Sequence, residues 1–178
     1  MLNFLSKKLV LIMMFCLCAC TPKFDWREVR NEENFFQILM PGKAASASRE
    51  INLNGIKATM YMTATDVQNL SFSVAYVKLD GADLDQEAQK KQQEVAFEAM
   101  KTGMLNNIQG QWKTSSEVSL PKNTLLAYGQ RTNGQKIKML AKFENRNPYL
   151  VQIIMLGEDK AFNKDAAEMF FDSFKWNR

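Results

Sequence analysis

The sequence predicts an α+β fold, an antiparallel β-sheet meander with one long central helix and a C-terminal helix packed on it. Three observations carry this. Short runs with period-2 alternation lie on both sides of a long stretch with helical spacing. Asn54-Gly55 and Asn133-Gly134 are tight-hairpin signals, because a type I′ turn needs positive φ at both central residues. Residues 149–156 are apolar on both faces, which marks a central strand covered on both sides and requires layers above and below the sheet.

Taken in order, residues 25–30 alternate Trp26 with polar neighbours, residues 31–34 form a polar turn, and 35–40 is apolar again, so both flanks read as strands. Pro41-Gly42 breaks the run, since proline fixes φ and glycine tolerates positive values. Residues 48–53 and 56–65 then form a hairpin around Asn54-Gly55, with Ile56, Ala58, Met60, Met62 and Ala64 on one face. Residues 70–79 follow, with Leu70, Phe72, Val74 and Tyr76 inward. The first half is expected to be a meander of about five strands.

Asp80-Gly81 closes it, and Asp83 with Gln86 has capping-box spacing at the start of a helix running to about residue 107. Leu84, Ala88, Val95 and Ala99 share one face early, and Phe97, Met100, Met104 and Ile108 a displaced face later, with a bend expected at Gly103. Strands return at 113–120 and 124–132. Beyond Asn133-Gly134, Ile137, Met139, Ala141 and Phe143 face one way and Lys136, Lys138, Leu140 and Lys142 the other. Residues 145–148 turn the chain into 149–156. Residues 159–173 read as a helix burying Phe162, Ala166, Met169 and Phe170, and Phe174 and Trp176 end the chain as a short extended piece. One core is expected from Phe36, Ile38, Phe72, Val74, Val151, Ile153, Phe162 and Phe170.

The order of elements, the opening from Phe35 to Pro41-Gly42 and the closing Phe170-Phe171-Asp172-Ser173-Phe174 resemble small PsbP-like domains over residues 24–176. The resemblance implies an antiparallel sheet sandwiched by helices. Those domains being mainly binding or assembly modules, it also implies a chain that is not an enzyme.

At the N-terminus Lys7 and Lys8 precede a charge-free apolar run from 9 to 17, too short at 9–20 to span a bilayer. Leu17-Cys18-Ala19-Cys20 follows and resembles the lipobox of bacterial lipoproteins. Of the three cysteines there, only Cys20 has a small residue before it, whereas Cys18 follows Leu17 and Cys16 follows Phe15. The resemblance implies cleavage after Ala19, lipidation of Cys20, and an envelope location on a membrane anchor. Thr21, in place of the aspartate that retains enteric lipoproteins at the inner membrane, implies the outer membrane, facing the periplasm. The expected organisation is a signal peptide at 1–19, a tether at 20–25 and one α+β domain at 26–178.

The absent residue types limit the chemistry. The chain has no histidine, and its three cysteines all lie at 16–20, so the mature domain is expected to hold no free thiol and no disulfide. That removes Ser-His-Asp and Cys-His catalysis and the usual zinc ligands. The net charge is +4, and two of the lysines leave with the signal, so no basic excess points to nucleic acid. Ser119-x-x-Lys122 and Lys101-Thr102-Gly103 match fragments of the penicillin-binding signature, but in reversed order and with Pro121 inside the serine motif. Asp80, Asp83, Asp85 and Glu87 lack EF-hand spacing and suit a helix N-terminus. The methionines lie on apolar faces, as core filler does.

No catalytic residue, metal ligand or cofactor is expected. The surface feature singled out is Arg131 with Lys136, Lys138 and Lys142, a small basic patch for anionic lipid or polymer, with a solvated lysine face as its plainer explanation. The expected function is a non-catalytic binding or assembly module, held at the membrane through Cys20 and contacting an envelope protein or polymer. The alternative is a carrier of a lipid or other apolar ligand, which would need an apolar cavity of several hundred Å³.

Overall fold

The structure, a computed structural model, describes residues 23–31, 33–113 and 120–177. The signal segment, Cys20, Thr21, Ser119 and most of the strand expected at 113–120 lie outside those residues. Strands β1 (Arg27–Arg30), β2 (Phe36–Met40), β3 (Ala45–Leu53), β4 (Ile56–Val67) and β5 (Leu70–Lys78) precede helix α1 (Gln86–Asn107). Strands β6 (Gln111–Lys113), β7 (Leu125–Gln130), β8 (Lys136–Arg146) and β9 (Tyr149–Gly157) follow. A 3₁₀ turn at Asp159–Ala161, helix α2 (Lys164–Asp172) and strand β10 (Lys175–Trp176) complete the fold.

A seven-stranded antiparallel sheet in the order β3-β4-β5-β9-β8-β7-β6 forms the middle layer. Helix α1 covers one face, over Met60, Val77, Leu150 and Met139. The other face is covered by α2 and by a separate three-stranded sheet, β1-β2-β10. The fold is thus α+β in layers. Phe36, Ile38, Phe72, Val74, Val151, Ile153 and Phe170 share one buried cluster as expected, with Phe162 packed at its margin.

The five-strand meander is corrected: β1 and β2 leave the main sheet. Alternation identifies a strand without naming its partner, and Phe36, Ile38 and Met40 point onto the face of the main sheet. The chain crosses between sheets at Pro41-Gly42, where Asp25 N–H donates to the Pro41 carbonyl at 3.1 Å.

Both hairpin signals mark hairpins, but of two geometries. Asn54 (φ 52°) and Gly55 (φ 94°) form the expected type I′ turn. At the second hairpin only Gly134 is positive, and Gly134 N–H donates to the Arg131 carbonyl, a longer connection ending in a left-handed glycine. Where α1 hands over to β6, Gln130 N–H donates to the Ile108 carbonyl at 2.7 Å, and a Cβ on Gly129 would lie 2.2 Å from that oxygen. Only glycine allows this approach.

The helices differ from expectation in detail. The N-cap of α1 is Asp85, whose carboxylate accepts from Ala88 N–H at 2.8 Å; Asp83 lies outside the helix. The buried pair is Ala96 and Met100, one turn apart, while Leu84 is exposed and the helix continues through Gly103. The expected 159–173 helix is split, because Asn163 caps a new helix by accepting from Ala166 N–H at 2.9 Å. Helix α2 buries Ala166, Ala167, Phe170 and Phe171, leaving Met169 48% exposed.

Candidate binding surface

Strand β3 is one edge of the main sheet, and it is nine residues long. Leu53 and Ile56 flank a type I′ turn and so exchange both backbone hydrogen bonds. Counting back in twos, the odd residues of β3 bond to β4, and Ser46, Ser48, Glu50 and Asn52 direct N–H and C=O outward. Among the described residues no backbone bond from another element reaches them. The side chains from Ala45 to Glu50 are exposed on both faces, since α1 reaches only the Ile51 and Leu53 end.

Beside this edge, on the face opposite α1, a slot of about 250 Å³ opens between the two sheets. Val29, Asn31 and Phe36 form one wall, and Ser46, Ser48 and Tyr61 belong to the other. Tyr61 is 39% exposed and Met62 41%, although Met62 shares a strand face with buried Ala58 and Met60. The apolar face expected for β4 therefore stops at Met60, where the cover of α1 ends. Tyr61 is nonetheless held firmly: it stacks on Tyr76 at 5.0 Å and 16°, Tyr76 meets Phe35 edge-on at 5.0 Å, and Phe35 stacks on Tyr149 at 3.8 Å. Asn31 braces the wall by accepting from Phe35 and Phe36 N–H at 2.8 and 3.1 Å.

The same aromatic row is clamped at its far end by an exposed polar triad. The Tyr149 hydroxyl donates to Glu33 Oε2 at 2.6 Å and Lys78 Nζ to the same oxygen at 3.1 Å. Hydrogen bonds from Tyr149 and then Lys78 hold the Glu33 carboxyl below its ordinary range. The bond to Glu33 raises both the Tyr149 phenol and the Lys78 ammonium.

A second groove, of about 550 Å³, runs between α2 and the outer side of β1-β2 and is acidic, with Glu28, Asp165, Glu168 and Asp172 against Lys175. The structure does not gather the four expected cations into an open patch. Lys138 pairs with Asp159 at 2.8 Å over the Phe162 ring, and Lys142 pairs with Glu144 at 3.2 Å over Phe174. Their side chains are only 14% and 12% exposed. The lysine face of β8 is a covered face whose aliphatic stems lie on aromatic rings, with the charged heads reaching the rim. Arg131 and Lys136 are exposed at the β7–β8 hairpin, and Arg131 lines a polar cleft with Asp66 and Glu158.

Sequence reasoning passed over the β3 edge and the slot. The readable signal was Ala45-Ser46-Ala47, three small residues extending a strand expected to start only at residue 48.

No protein-family model and no curated protein matches the sequence. Among solved structures, the chain is similar to the solution structure of cyanobacterial PsbP (CyanoP) from Synechocystis sp. PCC 6803. The TM-score is 0.50 at 10% identity, over 90% of this chain and 97% of that one. At that identity the likeness concerns the fold alone, and it agrees with the layered α+β sheet described above.

Proposed function

We infer that the chain is a membrane-tethered envelope lipoprotein whose mature part is a non-catalytic binding and assembly module, acting through the β3 edge and the adjoining slot. The observation that carries this reading is the juxtaposition of a nine-residue edge strand, whose outer side has no backbone partner among the described residues, with the exposed Tyr61 and Met62. Unpaired strand edges recruit extended backbone, and natural proteins ordinarily shorten or cover them. The filled core favours this reading over carriage of an apolar ligand: Phe72, Val151, Ile153, Met155 and Phe170 are each 0% exposed, and the slot beside them is small and open to solvent. Anchoring rests on Leu17-Cys18-Ala19-Cys20. Of the cations expected to meet an anionic surface, the exposed Arg131 and Lys136 are the pair this reading retains.

The test has two arms. In metabolically lipid-labelled cells, Cys20→Ala is expected to abolish labelling and release the chain from the membrane fraction; unchanged labelling would sink the anchor. Native purification through the anchor should recover a bound protein, which Tyr61→Ala with Met62→Ala removes while the chain stays folded. Recovery indifferent to that pair of changes would sink the surface.

A further inference from the structure

We propose that the occupant of the β3 edge is a second copy of this chain, paired antiparallel about a two-fold axis through Ser48, so that two seven-stranded sheets join edge to edge. The proposal rests on the binding-module reading and names its partner.

Hydrogen-bond parity restricts the geometry first. Outward N–H and C=O groups belong to the even residues of β3, and an antiparallel pair forms its closely spaced bonds only between residues that both point outward. Even residues must therefore face even ones, and a two-fold axis must pass through a residue instead of between two.

Charge then selects among the remaining registers. An axis through Arg49 sets two guanidinium groups directly opposite each other, and one through Glu50 sets two carboxylates opposite; like charges so placed are destabilising. An axis through Ser48 avoids both. It sets Ser46 opposite Glu50 of the second copy, a hydroxyl against a carboxylate, and Ala47 opposite Arg49, the smallest neighbour for the longest side chain. It also keeps the strands overlapped from Ala45 to Ile51, more than any axis nearer an end of β3.

Exposed apolar surface marks the same spot independently. In the β3–β4 ladder Ser48 pairs with Tyr61 and Ala47 with Met62, so the two exposed large side chains of β4 flank the axis, one on each face of the sheet. Pairing at Ser48 covers both, whereas pairing nearer Leu53 would leave them in water. The charges of Arg49 and Glu50, read alone as protection against edge pairing, exclude the two other alignments whose overlap along β3 equals or exceeds that of the Ser48 register.

The experiment is a cysteine scan of residues 46–50 in the full chain, in its own membrane, with mild oxidation and non-reducing electrophoresis. The unsubstituted chain, whose Cys20 thiol is blocked by lipid on the proposed reading, gives the background. Directly opposed, hydrogen-bonded residues have Cα atoms about 5.5 Å apart, within disulfide reach. Ser48→Cys is expected to self-cross-link several-fold more than Arg49→Cys or Glu50→Cys, and co-expressed Ala47→Cys and Arg49→Cys chains should cross-link to each other. Adding Ser48→Pro to that last pair should abolish the product without unfolding the chain, because Ser48 N–H points outward and β4 does not use it. A maximum at another residue, a flat profile, or survival of the product when Ser48→Pro is added would overturn the proposal. A cross-link to a different protein, or no cross-link at all from 46–50, would overturn the second copy and leave the binding module to the purification test above.

Discussion

The two faces of the central sheet are built on different plans. On the face toward α2 and the small sheet, sixteen buried residues form one cluster, continuous from Phe36 through Phe72 to Phe170 and linked ring to ring: Phe72 meets Phe170 at 5.1 Å and Trp26 at 6.4 Å. On the face toward α1 the buried residues fall into two clusters, and a 22-residue helix contributes only Ala96 and Met100 to full burial. Between those clusters, flanked along β9 by Leu150 and Ile154, sits Gln152, 6% exposed with Oε1 lacking a partner among the described residues. The shorter helix therefore anchors more of the fold than the longer one. Burial per turn, and not helix length, sets how firmly an element is held.

The largest expected effect breaks the stronger face. Phe72→Ala and Phe170→Ala, both at 0% exposure, should each cost about 3–5 kcal/mol, a large share of the stability of a domain this size. Met100→Ala, at the best-buried position of α1 after Ala96, should cost nearer about 2 kcal/mol, because a half-covered interface relaxes more easily. Urea unfolding of a form beginning at Thr21 measures all three. That form contains no cysteine, so its transition is expected to be indifferent to reductant and to chelator. If Met100→Ala proved as damaging as Phe72→Ala, the ranking of the two faces would be wrong.

A smaller effect, of opposite sign, sharpens the weaker face. Replacing Gln152 with Met keeps the volume close and removes an acceptor that has no partner among the described residues. The change should raise stability by about 1 kcal/mol or leave it unchanged. A clear loss would mean that the amide is satisfied where it sits and that the α1 face is better matched than its contacts suggest.

How far the sequence could be read follows the same division. Phe36, Ile38, Phe72, Val74, Val151, Ile153 and Phe170 were legible as one core, because each lies on a strand or helix whose apolar period is uninterrupted. The face of α1 was not. Its apolar residues drift round the helix, and only the tertiary fit to Leu150 and Met60 picks out Ala96 and Met100. The β8 lysines misled for a related reason: a polar period reads as a solvated face, whereas the stems of Lys138 and Lys142 lie on Phe162 and Phe174. The β3 edge was hidden because alternation marks a strand without saying whether one side of it stays unpaired, and Met62 joins the apolar set on β4 although α1 never reaches it.

The smallest expected effect concerns the clamp that ties the small sheet to the main one. Glu33 follows β1, while Lys78 and Tyr149 end β5 and begin β9, so the triad joins the two sheets at the rim of the stronger face. Because Tyr149 and Lys78 stabilise its charged form, the carboxyl is more acidic in the folded chain than in the unfolded one, whose value is about 4.5. Folding therefore gains from Glu33 above pH about 4.5, and the gain is lost as the pH falls through the lower folded value. Glu33→Gln should leave the acid-unfolded baseline untouched, reduce stability slightly at neutral pH, and make the wild-type and variant curves converge as the pH falls through the lowered folded value of the Glu33 carboxyl. Tyr149→Phe should move the Glu33 carboxyl back toward its ordinary value and shift that convergence to higher pH. Carbon-detected NMR titration of the carboxylate, with urea midpoints at each pH, reads both. Parallel curves down to the acid limit would mean that the clamp titrates without holding the sheets together, and the firmness of the aromatic face would then rest on packing alone.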